Sequence, residues 1–315
     1  MLSVTRTVRA VRAALFLCAF FYGLSAQAIV ESAADGMGTT SPPPDDPGFN
    51  YLGVTSNGLS SVYIGNRWVL SAAHVNQHPV TLMGVTYQDV PNSTVQLQQP
   101  SVAWSDFILF RLQTTPPLPP LVLSNAPPGL GDVVTMIGNA WDRAPAMTCW
   151  NSSWAEVTCD ALAVYRGYKS GGPFRVRWGR NQVTSVGVDI PYVGWLTRAF
   201  EVHFDQPGVT YEAQGVPGDS GGAVFLKRNN QWVLAGVMFA ITIFQGQNHY
   251  TSAVFGQSTY AVDISYYRPQ IEAVINAPSI PALPWNAAVL VGLALALIGG
   301  AALSLRTRGA NASSR

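Results

Sequence analysis

The sequence predicts an all-β body closed by one short helix, and three observations carry that prediction. Its apolar residues come in short runs of strand length, such as Ser61-Val62-Tyr63-Ile64, Trp68-Val69-Leu70, Asp132 to Ile137, Gln182 to Val186, Gly222 to Phe225 and Trp232 to Val237. Gly, Asn and Pro punctuate these runs, as they do between antiparallel strands. No long stretch repeats its apolar positions with a helical period, and no internal repeat of solenoid length is visible. Thr114-Thr115-Pro116-Pro117-Leu118-Pro119-Pro120 cannot continue a central strand, because proline has no N–H for the ladder, so it divides the body into β units at 29–115 and 116–277. At 315 residues, 48% of them apolar, the chain is long enough to bury two modest cores.

Taken in order, residues 1–28 read as a signal peptide. Arg6, Arg9 and Arg12 precede the apolar run Ala13 to Phe21, and Ala26-Gln27-Ala28 is a small-x-small cleavage site, so the mature chain is expected to begin at Ile29. Within the body, Gly65-Asn66 reads as a turn between the first two runs. The one helical pattern is Asp263 to Ile275, with Ser265 as its cap and apolar positions at 267, 271, 274 and 275.

The far end holds a Pro-rich spacer at 278–286, an uncharged apolar segment from Ala287 to Leu305 and a basic tail at 306–315. Such a segment is about the length a bilayer-spanning helix needs, and Arg306 and Arg308 behind it would stay cytoplasmic, leaving the body outside. This arrangement resembles bacterial C-terminal protein-sorting signals, which implies a sorting protease acting on the tail; a permanent membrane anchor through 287–305 is the other reading. Either way the expected location is secreted or extracytoplasmic.

Six of the eighteen basic residues sit at the two ends while all seventeen acids lie between them, so the body is acidic. With charged residues at 11%, nucleic acid is excluded as a partner. Cys149 and Cys159, the two cysteines left after signal-peptide removal, are close enough to form a disulfide in an oxidising compartment. Two cysteines without a nearby histidine make a poor zinc site, and the sequence calls for no metal or cofactor.

Gly218-Asp219-Ser220-Gly221-Gly222 is the strongest local motif: glycines on both sides of a serine allow backbone conformations and close approaches that an exposed nucleophile needs. It also fits the Gly-x-Ser-x-Gly elbow of α/β-hydrolases, but that reading needs an acid and then a histidine downstream, and no Asp or Glu occurs from Gly221 to Val262. A serine requires a base. His74 closes Trp68-Val69-Leu70-Ser71-Ala72-Ala73-His74, where small residues permit packing behind an imidazole, whereas His78, His203 and His249 sit among polar residues and read as solvated. Asp106 opens Asp106-Phe107-Ile108-Leu109-Phe110-Arg111-Leu112, a strand apolar on both faces, where an unpaired carboxylate would cost several kcal/mol; a histidine N–H is its natural partner.

Ser-Ala-Ala-His at 71–74, Asp-Phe-Ile-Leu-Phe-Arg-Leu at 106–112 and Gly-Asp-Ser-Gly-Gly at 218–222, in that order, resemble the trypsin/chymotrypsin family of serine peptidases from about Ile29 to Ile275. The resemblance implies two antiparallel six-stranded β-barrels with the site between them, and protein or peptide substrates. It implies that Ser220 attacks, His74 moves the proton, Asp106 holds the imidazole, and the N–H groups of Gly218 and Ser220 form an oxyanion hole. It also implies that the new terminus at Ile29-Val30 pairs with Asp219.

The sequence departs from the family in its specificity pocket. Gln214 stands six residues before the serine, where trypsins carry aspartate, and Phe239-Ala240-Ile241 replaces Ser-Trp-Gly on the pocket wall. Gln214, Phe239 and Ile241 therefore predict a neutral, narrowed pocket and cleavage after small or medium uncharged residues. Pro217 precedes the oxyanion glycine, and the family's usual cysteines beside the motifs are absent. The reading from a different class is a catalytically silent binding module on a protease scaffold.

Overall fold

The computed structural model describes residues 29–32, 39–99 and 103–277. Residues 1–28 and 278–315, which hold the expected signal peptide, spacer, span and basic tail, lie outside the described residues. The chain divides into a unit Met1–Glu272 and a second, Ala273–Arg315. Among the described residues no helix is long and apolar enough to cross a membrane.

The first unit is mostly antiparallel β-structure. Its first sheet has seven strands in the order Val85–Tyr87, Val80–Leu82, Leu52–Thr55, Ser60–Gly65, Trp68–Ser71, Ala103–Arg111 and Val95–Gln99. Ser60–Gly65 and Trp68–Ser71 are buried on both faces, which is why they read as continuous runs rather than alternating ones. Tyr63, Val69, Val80, Leu82, Ile108, Phe110 and Leu112 form the core of this sheet. The hairpin between the two buried strands turns on Asn66 (φ 52°) and Arg67 (φ 70°), one residue later than the expected Gly65-Asn66. Positive φ at both central positions gives the twist that matches the flanking strands.

The second sheet is built around Tyr165–Tyr192, a 28-residue strand that pairs in turn with Thr148–Trp150, Ser252–Val254, Val133–Arg143 and Trp195–His203. From Trp195–His203 the pairing continues through Ser258–Asp263, Gln231–Ile241 and Ala223–Arg228 to Val133–Arg143, which pairs again with the long strand. Val134, Met136, Val183, Phe200, Val224 and Met238 pack in its interior together with Ile29.

A short ladder matters more than its size suggests. Val30–Glu31 pairs with Ala213–Gln214, in register Val30 to Gln214. Arg143 Nε donates to Glu31 O at 2.5 Å, Tyr168 OH to Ser32 O at 2.9 Å, and Ser32 N to Glu212 O at 2.7 Å. Ile29 is 1% exposed, and burying such a side chain is worth about 1.5–3 kcal/mol, so the segment is held by packing as well as by hydrogen bonds.

The helix is Ile264–Ile275. Its cap is Asp263, whose Oδ1 accepts the Ser265 N–H at 2.9 Å and the Ser265 hydroxyl at 2.6 Å. Ser265 is thus inside the first turn and not the cap itself, because a carboxylate one position before the helix is the better acceptor for the first free N–H groups. Farther along, Gln270 reaches the outermost strand of the first sheet: its Oε1 accepts from Gln98 N at 3.0 Å and its Nε2 donates to Gln98 O at 2.7 Å.

Candidate active site

His74 follows the strand Trp68–Ser71, and Asp106 sits in the neighbouring strand Ala103–Arg111, with Ser71 paired to Ile108. That register carries the chain after Ser71 over Asp106. The Asp106 carboxylate is fully buried, and its two oxygens face donors of one residue: the His74 backbone N donates to Oδ1 at 2.9 Å, and His74 Nδ1 lies 2.6 Å from Oδ2. Asp106's own N–H donates to Thr197 Oγ1 at 2.9 Å, a contact supplied by the second sheet.

Ser220 lies on the tight loop Gly215 to Gly222. Asp219 N donates to Val216 O at 3.0 Å, Gly222 N to Asp219 O at 2.7 Å and Gly221 N to Met238 O at 2.8 Å. The first sheet holds the loop too, since Ser60 N donates to Ser220 O at 3.1 Å. Gly221 has φ +87°, and a Cβ there would stand 1.9 Å from Ser60 O, so no other residue fits.

Asp219 is buried directly behind this loop. Oδ2 accepts the Val216 N–H at 2.9 Å. The Ile29 N–H also faces the carboxylate, but it does not close a full hydrogen bond to Oδ1. Burial holds the carboxyl well above its usual range, against the smaller opposing pull of these N–H groups. Gly138 makes room for it: a Cβ there would meet Oδ1 at 2.0 Å.

His74 and Ser220 share a cleft of about 440 Å³, whose apolar wall includes Val216, Met238, Phe239, Ile241 and Ile243. Tyr192, at the tip of the hairpin between the long strand and Trp195–His203, lines the same cleft and stands edge-on to the His74 ring at 5.3 Å. Of the three residues expected to set specificity, Phe239 and Ile241 line the cleft and Gln214 does not. Gln214 is fully buried in the ladder with Val30, and its amide donates to Ser258 O at 3.2 Å, next to the lining residue Thr259.

Of the histidines read as solvated, His78 approaches Ser56 Oγ at 3.5 Å and His203 pairs with Asp205 at 2.7 Å. His249, in contrast, lines the cleft beside Tyr250, and burial holds its pKa below the usual histidine value. Neither Tyr192 nor the loop of Ile243, His249 and Tyr250 carries a sequence signal of its own. Cys149 and Cys159 form a disulfide that closes a lobe next to this loop. Among the described residues there is no cluster of His, Cys, Asp and Glu that could hold a metal ion.

A family model described as a trypsin-like peptidase domain matches residues 59–237, more than half of the chain. The chain belongs to the trypsin-like peptidase family, and its mostly β body with one C-terminal helix is a chymotrypsin-like fold. It is similar to neuropsin, a serine protease of mouse brain, at 18% identity and a TM-score of 0.45, over 76% of this chain and 99% of that one. The active form of the Rv3671c protease of M. tuberculosis matches at 19% identity and a TM-score of 0.40, over 70% and 74% of the two chains. The NS6 protease of murine norovirus 1 matches at 15% identity and 0.38, over 69% and 90%. No curated protein sequence matches the chain.

Proposed function

We propose that this peptidase is a serine endopeptidase that works through His74, Asp106 and Ser220. The reading rests on one juxtaposition: a buried carboxylate whose two oxygens are both taken by His74, with that histidine facing the same cleft as Ser220. Ser220 Oγ attacks the scissile carbonyl while His74 takes its proton, and the N–H groups of Gly218 and Ser220 receive the oxyanion. His74 then protonates the leaving amine, and water, activated by the same imidazole, hydrolyses the acyl-enzyme. Asp106 fixes the tautomer that makes Nε2 the base.

The wall of Phe239 and Ile241 favours cleavage after uncharged residues, because a charged side chain binds poorly in an apolar site. We read the six-strand pairing circuit of the second sheet as one of the two barrels of the fold. Cleavage after Ala28 would place the new α-ammonium of Ile29 beside Asp219 and order the oxyanion loop. The segments 1–28 and 287–305 make the enzyme secreted or surface-tethered, and membrane fractionation after deletion of residues 279–315 tests the tether.

Labelling with a fluorophosphonate tests the central claim, since it reports an activated serine whatever the substrate. The expected result is stoichiometric labelling that Ser220→Ala and His74→Ala abolish. A well-folded protein that takes no label would instead be the silent binding module.

A further inference from the structure

The disulfide lobe and the cleft meet through one tryptophan. The loop from Thr242 to Thr251 contributes Ile243, His249 and Tyr250 to the cleft. Part of its hold is internal: Gln257 Nε2 donates to Thr242 O at 2.6 Å, and Gln247 Oε1 accepts from Phe244 N at 3.1 Å. Its outward bend is fastened from outside. Trp154, inside the loop closed by Cys149 and Cys159, which stand 10 apart in sequence, donates its Nε1–H to Gln245 O at 2.8 Å. The indole stacks on Tyr165 with centroids 4.1 Å apart and planes 2° from parallel, and Phe244 packs against both rings at 6.4 and 5.2 Å. A Cβ at Gly246 would stand 3.1 Å from that indole, so the loop backbone lies directly on the ring.

The lobe holds Trp154 on a tight turn, in which Asn151 Oδ1 accepts from Ser153 N at 2.9 Å and from Ala155 N at 3.1 Å. Trp154 has φ 62°, an uncommon conformation for a tryptophan, and its N–H donates to Asn151 O at 3.0 Å. Around it Trp150 packs at 6.1 Å, and the two-residue strand Glu156–Val157 pairs with the strand holding Cys149. The Cys149–Cys159 cross-link adds a covalent restraint to this short lobe.

We propose that Trp154 is a specificity-determining positioning residue: it pins the wall of the substrate cleft to the disulfide lobe, so that apolar peptide substrates bind well only while Cys149–Cys159 is oxidised. The proposal rests on the cleft being the peptide site. Trp154 touches neither His74 nor Ser220, so its effect falls on KM and on residue preference, while the reactivity of the serine stays with the triad.

The test compares the parent, Trp154→Ala, Trp154→Phe and the double variant Cys149→Ser/Cys159→Ser on a peptide library and with a small fluorophosphonate. Trp154→Ala and the double variant are expected to label within about twofold of the parent, yet lose about tenfold or more in kcat/KM on peptides with an uncharged apolar residue before the scissile bond, mainly through KM, because displacement of a wall acts on binding geometry. Trp154→Phe keeps the stack and loses only the Nε1 donor, so it should lose about fivefold, the worth of one neutral hydrogen bond. A thiol reductant should act on the parent as Trp154→Ala does and add nothing to that variant. Unchanged KM and residue preference in Trp154→Phe and in the reduced parent, with labelling intact, would overturn the proposal. A folded parent that does not label would overturn the proposed function and this inference with it.

Discussion

If cleavage after Ala28 frees Ile29 as proposed, one extra residue ahead of it would turn its α-ammonium into a neutral amide N–H, with the rest of the molecule unchanged. In the intact chain that amide faces Asp219, yet Oδ1 has no hydrogen-bond partner and the carboxyl is pushed well above its usual range by burial. An ammonium has three N–H groups and a full charge, so it can satisfy Oδ1 where a single amide does not. Leaving a buried carboxylate unpaired costs about 3–5 kcal/mol. At about 1.4 kcal/mol per tenfold, this would lower the population of ordered oxyanion loop by roughly 10²- to 4 × 10³-fold. Two features reduce the effect. Asp219 can take up a proton in place of its partner, and the packing of Ile29 against Val134 and Met136 does not depend on charge. The lower end, about 10²-fold in kcat/KM and in the rate of fluorophosphonate labelling, is therefore expected. The assay needs an N-terminus verified by mass spectrometry in both forms. Full activity in the extended form would refute the reasoning and leave Asp219 with another role.

Asp106→Asn should lower kcat by about 10⁴-fold with little change in melting temperature, because an amide cannot accept from both the His74 N–H and its ring. Gly138→Ala should destabilise by about 1–3 kcal/mol in chemical denaturation and slow labelling, since its Cβ would displace the Asp219 carboxylate. Tyr192→Ala should reduce turnover by up to about tenfold while Tyr192→Phe restores it, because the edge-on contact with His74 needs only the ring. Glu212, 2% exposed, is raised to about 7 by burial, against the N–H groups of Asp205 and Val209. Between the unfolded value of 4.5 and about 7 the folded state keeps a proton that the unfolded chain releases. Stability should therefore fall as pH rises through that window, by up to about 3 kcal/mol, and melting curves of Glu212→Gln should show a flatter profile.

The residues of the candidate site that sequence made visible are those whose chemistry conflicts with their surroundings. Asp106 in an apolar strand and Ser220 between glycines each violate a local rule, and such violations show without knowledge of the fold. The strand runs were visible for the same reason in reverse, since Trp68–Ser71 and Ala223–Arg228 agree with their environment throughout. Tyr192 and Tyr250 violate nothing: an exposed tyrosine in a hairpin or loop is unremarkable until the hairpin is seen to end on His74. Gln214 shows the opposite failure. Its distance from Ser220 suggested a pocket position, but the ladder with Val30 claims its backbone, and pairing between residues 184 apart in the chain has no local signature. The turn at Asn66-Arg67 missed by one residue because asparagine and glycine both suit positive φ, and only the register of the two strands decides between them.

The paired hydrogen bonds between Gln270 and Gln98 have a consequence for the solution behaviour of the molecule. Val95–Gln99 ends its sheet, and an outermost strand offers its N–H and C=O groups to any extended chain that meets it. A glutamine carboxamide carries the same donor and acceptor as a peptide unit, so Gln270 occupies the place of one residue of a neighbouring strand. The helix thus blunts the strand at Gln98 with a single side chain, which leaves that peptide unit closed to any further strand.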